Sequence, residues 1–393
     1  MRLTTDFECG SGVLYQKADD SWRLETVADA CGYNKYFCFE AENDSASDVT
    51  LHMEIVADPG LGESSHFFSH FPSHIWYSQD DWRRWVPLQR TWEDSVIFHS
   101  DRIALKIPLR PGVRMQVATN TPFRYSDLVT WIEAVRLRPE CAPQVSSLGK
   151  TPGGRDIPLL RMGNGHQRIL IVGGQHASEH SSVWASQGVV EFLLSRIAEA
   201  RRILDAFDIA IIPMLNVDGN VLGRSAAGLQ QLKLNNSLDF EGASAGATPT
   251  YAENAQLWNW LINSFSPDML LHFHGYMGWR RASDLPGDGI YLPPRPKGES
   301  DQAVRWRLQK AVLDRLLFET CGHSAHFGIL GESPSGFLDT QVVERFGAVA
   351  ICYECNSGTT GAWRQFRAGA AAFRTLVRAA LEDFSPPVPQ STQ

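Results

Sequence analysis

The stretch 169–197, ILIVGGQHASEHSSVWASQGVVEFLLSRI, constrains the fold more than any other part of the chain. Four apolar residues at 169–172 are closed by Gly173 and Gly174. Beyond Ser181 and Ser182, the residues Val183, Trp184, Val190, Leu193, Leu194 and Ile197 recur at roughly helical spacing. The pattern predicts a buried strand, a tight turn and a helix over 181–199. Units of this kind build open α/β sheets, whose ligand sites form beyond the carboxyl ends of the strands.

His176 and Glu179 sit in that turn. On a helical or near-helical backbone an HxxE pair shares one face, with Cβ atoms about 5 to 6 Å apart. One imidazole and one carboxylate so placed can grip a metal ion. The commoner use of such a pair is a surface ion pair or a cap. Here it follows a buried-looking strand, and Gly173-Gly174 lets the backbone come close to a ligand, which favours the metal. Zinc in a hydrolytic site takes three protein ligands, often two His and one Glu, and keeps one position open. A third ligand is therefore expected at another strand end.

The same alternation runs through the rest of the chain. The first helix is followed by FDIAIIPML, a helix at 253–265 by MLLHFHG, and a helix at 301–318 eventually by GAVAICYE, before an Ala-rich helix at about 363–383. This order predicts βαβ crossovers and a largely parallel sheet with helices on both faces, over residues 121–384. Between the boundary near 120 and the opening stretch, a turn-rich segment contributes one short strand.

Residues 1–120 read differently. Val49, Leu51, Met53 and Ile55 alternate with Thr50, His52 and Glu54, and Ile103, Leu105, Ile107 and Leu109 repeat the pattern. With no convincing helix before Ser126, the expectation is a small β-sandwich domain. Trp76, Trp82, Trp85 and Trp92, mixed with His66, His70, His74 and His99, are expected to fill its core, because the His residues lack ligand spacing. The tail 385–393, SPPVPQSTQ, is expected to be disordered.

A net charge of -8 without a dense Lys/Arg block argues against nucleic acid and anionic membranes as partners. The N-terminus MRLTTDFECGSG has no apolar core of signal-peptide length, no apolar run approaches membrane-spanning length, and seven scattered Cys fit reduced thiols, so a cytoplasmic protein is expected. Cys352 and Cys355, a lone CxxC, read as packing around Glu354.

His274 ends the apolar run at 269–273 and is followed by Gly275, which makes it the expected third ligand, with His272 as competitor. Glu354 closes GAVAICYE, where a charge is costly inside a sheet but natural at its mouth, and is assigned as general base. Asn216, Asp218, Gly219, Arg224, Asn235 and Asn236 follow FDIAIIPML, where polar residues commonly serve only turns and solvation.

Taken in order, GKTPGGRDI, GGQHASEH, NVDGNVLGR, LKLNN, HFHG and YEC resemble the zinc metallocarboxypeptidase family over residues 145–356. At the front, PFRYSDLVTWI, FCFEAEN and WVPL resemble its cytosolic carboxypeptidase branch, in which a β-sandwich precedes the catalytic domain. The resemblance implies an α/β/α catalytic domain with a mixed, mainly parallel sheet. It implies one zinc ion held by His176, Glu179 and His274, with Arg224 polarising the scissile carbonyl, Asn235 at the substrate carboxylate and Glu354 as base. The implied substrate is the C-terminus of a peptide or protein.

Two departures stand out. The family's Leu-Asn-Arg triplet reads Leu234-Asn235-Asn236, so an amide replaces a guanidinium whose charge-assisted hydrogen bond contributes about 1.5 to 3 kcal/mol. No Tyr occurs between Glu332 and Gly347, where the family carries one; Tyr276 is the candidate substitute. A carboxypeptidase is expected, with Arg280, Arg281 or Arg364 taking the carboxylate. The alternatives are a zinc amidase or endo-acting hydrolase, and a zinc-binding recognition protein with weak catalysis.

Overall fold

The computed structural model describes residues 1–30, 32–58, 74–99, 101–138, 143–230, 239–276, 287–292 and 328–383. In its first third, the strands Val49–Val56 and Arg102–Leu109 pair antiparallel, Leu51 opposite Ile107, Met53 opposite Leu105 and Ile55 opposite Ile103. These six side chains are buried, while His52 and Lys106 between them are exposed, as the alternation predicts. They belong to one of two five-stranded sheets. The other contains Cys38–Glu42 and Arg114–Ala118.

Phe37, Phe39, Met115 and Val117 meet Leu51, Met53 and Ile55 in one core, against which Trp22 and Trp92 also pack. Trp82 and Trp85 pack on a smaller cluster around Tyr36 and Cys38. Burying each of the large aliphatic side chains contributes about 1.5 to 3 kcal/mol. His66 and His70 lie outside the described residues.

The remainder is built on one eight-stranded sheet. Its centre is four parallel strands in the order Phe207–Ile212, Gln167–Val172, Met269–Tyr276 and Val349–Asn356. Every residue of the last two strands is buried, as in a sheet covered on both faces. Gln144–Lys150 and Asp156–Met162 extend one edge antiparallel. Gly289–Leu292 pairs antiparallel with Val349–Asn356, and Gly328–Glu332 parallel with it. The sheet is therefore mixed and mainly parallel.

Alternate side chains of the central strands feed two cores. Ile169 and Ile171 join Leu128, Val190 and Phe373 from the helices Tyr125–Arg136, His180–Leu193 and Ala362–Asp383. Leu170 and Val172 join Leu257, Trp258 and Val342 from the helices Ala252–Ser264 and Leu338–Phe346. This is the layered α/β/α arrangement, with Tyr125–Arg136 leading in from the front sheets.

Three details differ from the sequence reading. The helix expected over 181–199 ends at Leu193, Arg196 turns the chain at φ 61°, and a second helix begins as Ala198–Ala206. Ile197 belongs to that break and is 46% exposed, so its place in the apolar periodicity was coincidental. The turn-rich segment before residue 167 holds two paired strands rather than one. The helix Leu338–Phe346, whose Leu338, Val342 and Phe346 recur at helical spacing, and the short strands Gly289–Leu292 and Gly328–Glu332 were not anticipated. The expected helix at 301–318 and the tail 385–393 lie outside the described residues.

Candidate metal centre

The strand Gln167–Val172 delivers the chain to a turn that Gly173 and Gly174 make possible. Gly174 has φ 63°, and a Cβ on it would lie 2.9 Å from the Met214 Cα, so the position needs glycine on both counts. Glu179 caps the helix His180–Leu193 with φ -84° and ψ 57°, and its N–H donates to the His176 carbonyl at 3.2 Å. The HxxE pair therefore sits on a turn rather than on a helix face. The two side chains still converge, His176 Nδ1 lying 2.6 Å from Glu179 Oε1. Ser182 Oγ locks the turn, donating to the Glu179 carbonyl at 2.6 Å and accepting from Gly174 N at 2.8 Å.

The neighbouring strand Met269–Tyr276 runs parallel to Gln167–Val172 and continues past its end. That overhang carries His274 over the turn, with Nδ1 3.0 Å from Glu179 Oε2. Gly275 N donates to the same oxygen at 2.9 Å, and a Cβ there would lie 2.0 Å from Ser181 Oγ. One ligand atom from each of His176, Glu179 and His274 lies within 4.8 Å of the other two, and all three residues are buried. Burial opposes ionisation of Glu179, but the two imidazoles facing it outweigh that and hold its carboxyl well below the usual range.

His272 lies deeper on the same strand face. Its Nδ1 is 3.9 Å from Asp339 Oδ1, and burial pushes its imidazole down to about 4, so it is neutral. With His274 and Cys352 it forms a second group of ligand-type atoms within 4.8 Å. Metal binding there needs a thiolate, and burial pushes the Cys352 thiol well above its usual value. The His176, Glu179 and His274 set needs no thiolate.

Glu354 is the register partner of His274 on the next parallel strand, and Gly289 is its partner on the other side. Its Oε2 is buried without a hydrogen-bond partner among the described residues. Burial, reinforced by the Glu179 carboxylate, pushes its carboxyl up to about 7 against the opposing charges of His274 and Lys35. Two imidazole nitrogens and a carboxylate with a second, unpartnered carboxylate beside them fit a hydrolytic zinc site: three ligands and one open side.

Arg224 follows the short helix Val217–Val221. Asn216 caps that helix, accepting from Gly219 N at 3.0 Å and donating to the Ala226 carbonyl at 2.8 Å. Asp218, wholly buried, accepts from Thr151 Oγ1, Gly153 N and Arg155 Nη1 at 2.7 to 2.8 Å. Both residues thus serve the architecture of the loop. The loop is sewn to the HxxE turn by Ser178, whose N–H and Oγ both donate to the Ser225 carbonyl. Arg224 Nε is buried and has no hydrogen-bond partner among the described residues.

Asn235, Asn236, Arg280 and Arg281 lie outside the described residues. Tyr276, the candidate substitute tyrosine, is committed elsewhere: its hydroxyl donates to the Gly287 carbonyl and accepts from Asn356 Nδ2 at 3.4 Å.

The front sheets also reach the centre, which sequence reasoning missed. Asp29 Oδ2 accepts from Ala226 N at 2.6 Å and Ala227 N at 2.9 Å, just beyond Arg224. Asn120 Nδ2 donates to the Ser178 carbonyl at 2.7 Å. Lys35 Nζ lies 3.8 Å from Glu179 Oε1. Polar residues in irregular segments far from the strand-end motifs carry no pattern that would have marked them.

Residues 128–277 match the sequence profile of the zinc carboxypeptidase family. That stretch contains His176, Glu179, Arg224 and His274, while Glu354 lies beyond it. The chain is 24% identical to cytosolic carboxypeptidase 2 of Xenopus tropicalis over 212 residues, which are 51% of this chain and 21% of that protein. It is 31% identical to inactive metallocarboxypeptidase ECM14 of Paracoccidioides lutzii over 107 residues, 25% of this chain and 18% of that one. The chain thus spans only about a fifth of these two relatives. The metallo-carboxypeptidase of Burkholderia cenocepacia superposes with a TM-score of 0.79 at 17% identity, covering 98% of this chain and 99% of that one. Its likeness is one of fold across both the front sheets and the eight-stranded sheet.

Proposed function

We propose that the protein, whose residues 128–277 match the zinc carboxypeptidase profile, is a zinc-dependent hydrolase cleaving a peptide or amide bond near the C-terminus of a peptide or protein. One observation carries the reading. A buried carboxylate with an unpartnered oxygen, Glu354, stands in register beside His274, which shares Glu179 with His176. An ion pair built only for stability has no use for a second, unpaired buried carboxylate, which costs free energy.

His176, Glu179 and His274 would hold the zinc, whose Lewis acidity polarises the substrate carbonyl and acidifies water. Glu354 takes a proton from the attacking water and passes it to the leaving amine, and its raised pKa suits both transfers near neutral pH. Arg224 lends its guanidinium to the oxyanion charge from a loop whose backbone is held by the Ser178–Ser225 and Asp29 bonds. Asn235 and Asn236 supply amides to the substrate's terminal group. Residues 1–120 form the accessory domain and 121–384 the catalytic one, in a cytoplasmic protein.

The test is metal analysis of the purified protein together with hydrolysis of a panel of free-acid peptides by wild type and Glu354→Gln. One zinc per chain, release of C-terminal residues by wild type and loss of release in the variant are expected. Zinc without turnover on any peptide would overturn the hydrolase reading.

A further inference from the structure

We infer that Lys35, from the loop between the front strands Ser21–Glu25 and Cys38–Glu42, receives the free carboxylate of the substrate's last residue. The inference rests on the proposed hydrolytic centre and names the group that sets its preference for chain ends.

The loop is built, not incidental. Asp29 N donates to the Tyr33 carbonyl at 2.9 Å, and Asp29 Oδ1 accepts from Tyr33 N at 3.1 Å. Asp29 Oδ2 meanwhile grips Ala226 N and Ala227 N beyond Arg224. Asn34 and Tyr36, on either side of Lys35, are buried, and the Tyr36 hydroxyl donates to the Cys9 carbonyl at 3.1 Å. The backbone at Lys35 is thus fixed against the catalytic half.

The side chain of Lys35 is only 15% exposed and lies 5.2 Å from the Tyr33 ring centroid. Among the described residues, Glu179 is its one carboxylate within ion-pair distance, at 3.8 Å. Both Glu179 oxygens already serve His176, His274 and Gly275 N, and they face the position a divalent cation would take. A cation held there weakens the pull of Glu179 on Lys35 and leaves a largely desolvated ammonium without a counter-ion. Such a group is costly unless an anion arrives with the ligand.

A peptide whose scissile carbonyl sits at the centre brings one. A single residue spans at most about 3.6 Å, and Nζ stands 3.8 Å from a Glu179 oxygen, so a terminal carboxylate one residue from the scissile bond and Nζ share one neighbourhood. An internal or amidated peptide brings no charge there.

The experiment compares Lys35→Met and Lys35→Arg with wild type on one neutral peptide in free-acid and C-terminally amidated forms. Its readouts are kcat/KM of the zinc-loaded protein, and the Kd of each peptide measured by calorimetry in a zinc-loaded Glu354→Gln background. Lys35→Met is expected to weaken the free acid about 10- to 100-fold, the size of a charge-assisted hydrogen bond, and to leave the amide within about twofold. Lys35→Arg should retain most of the preference, and zinc content should stay at wild-type level in both.

Equal losses on acid and amide, no loss on either, or loss of zinc from Lys35→Met would each overturn the assignment. Absence of turnover in wild type would sink the hydrolase reading alone, because the calorimetric comparison still decides Lys35.

Discussion

His274 and Glu354 stand opposite one another, in register, on two neighbouring parallel strands, and both side chains leave the sheet on the same side. Eight successive residue pairs, from Met269 with Val349 to Tyr276 with Asn356, fix that alignment. A base mounted this way is positioned by the sheet itself, not by a loop. Glu354→Gln keeps the shape and removes the proton acceptor. Peptide turnover should fall by about 10²- to 10⁴-fold while zinc stays at one per chain. Full turnover in this variant would remove Glu354 from the chemistry.

Metal retention distinguishes the two overlapping groups that share His274. His274→Ala and Glu179→Gln should both yield protein that loses zinc on dialysis, because each removes one of only three ligands. His272→Ala should keep its zinc, since His272 belongs only to the group that needs a Cys352 thiolate, which burial disfavours. Elemental analysis after dialysis reads the difference, and zinc loss from His272→Ala with retention in Glu179→Gln would reverse the assignment.

The acid side of the pH profile follows from Glu354. It accepts a proton only as carboxylate, so activity is present above its folded pKa and lost as pH falls through it. Burial and the Glu179 charge push that value up to about 7, and the positive charge of a bound zinc pushes it back down. The half-point of the acid limb in kcat/KM should therefore lie above the ordinary 4.5 and no higher than about 7. The residual activity of Glu354→Gln should lack that limb.

Arg224 is tested by the way its loss divides between kinetic constants. A guanidinium that meets charge only in the transition state affects kcat more than KM. Arg224→Met should lower kcat by about 10²- to 10³-fold, the cost of removing one oxyanion donor, with KM changed little. A rise in KM alone would make Arg224 a ground-state binder.

Asp218 is predicted to matter for stability before chemistry. It is completely buried and paired with Arg155, Thr151 and Gly153 N. Asp218→Asn removes the charge that accepts from Thr151, Gly153 N and Arg155, whose own side chain is 34% exposed, and losing a charge-assisted hydrogen bond of this kind costs about 1.5 to 3 kcal/mol. Urea unfolding should show that loss. An unchanged midpoint would mean the network carries no stability.

The two halves of the centre differed in how plainly the sequence announced them. His176, Glu179, His274 and Glu354 follow apolar runs of strand length, and a polar residue at the end of such a run has only the sheet mouth to occupy. Alternation at Leu51, Met53 and Ile55 exposed the front sheets by the same logic. The turn at Arg196 was hidden, because its φ of 61° is adopted by a residue type that does not advertise it. Lys35 and Asp29 were hidden for a different reason. Their contacts with Glu179 and Ala226 join segments far apart in the chain, and nothing periodic precedes either residue.

The bonds from Asp29, Asn120 and Lys35 into the turn and loop of the hydrolytic centre carry a lesson for protein engineering. A chimera assembled by transplanting the eight-stranded sheet behind a foreign front half would inherit the metal ligands but forfeit the brace on the Arg224 loop and the cation beside Glu179. Recombination in this scaffold works only with front and back taken from one parent, or with those three contacts written into the recipient.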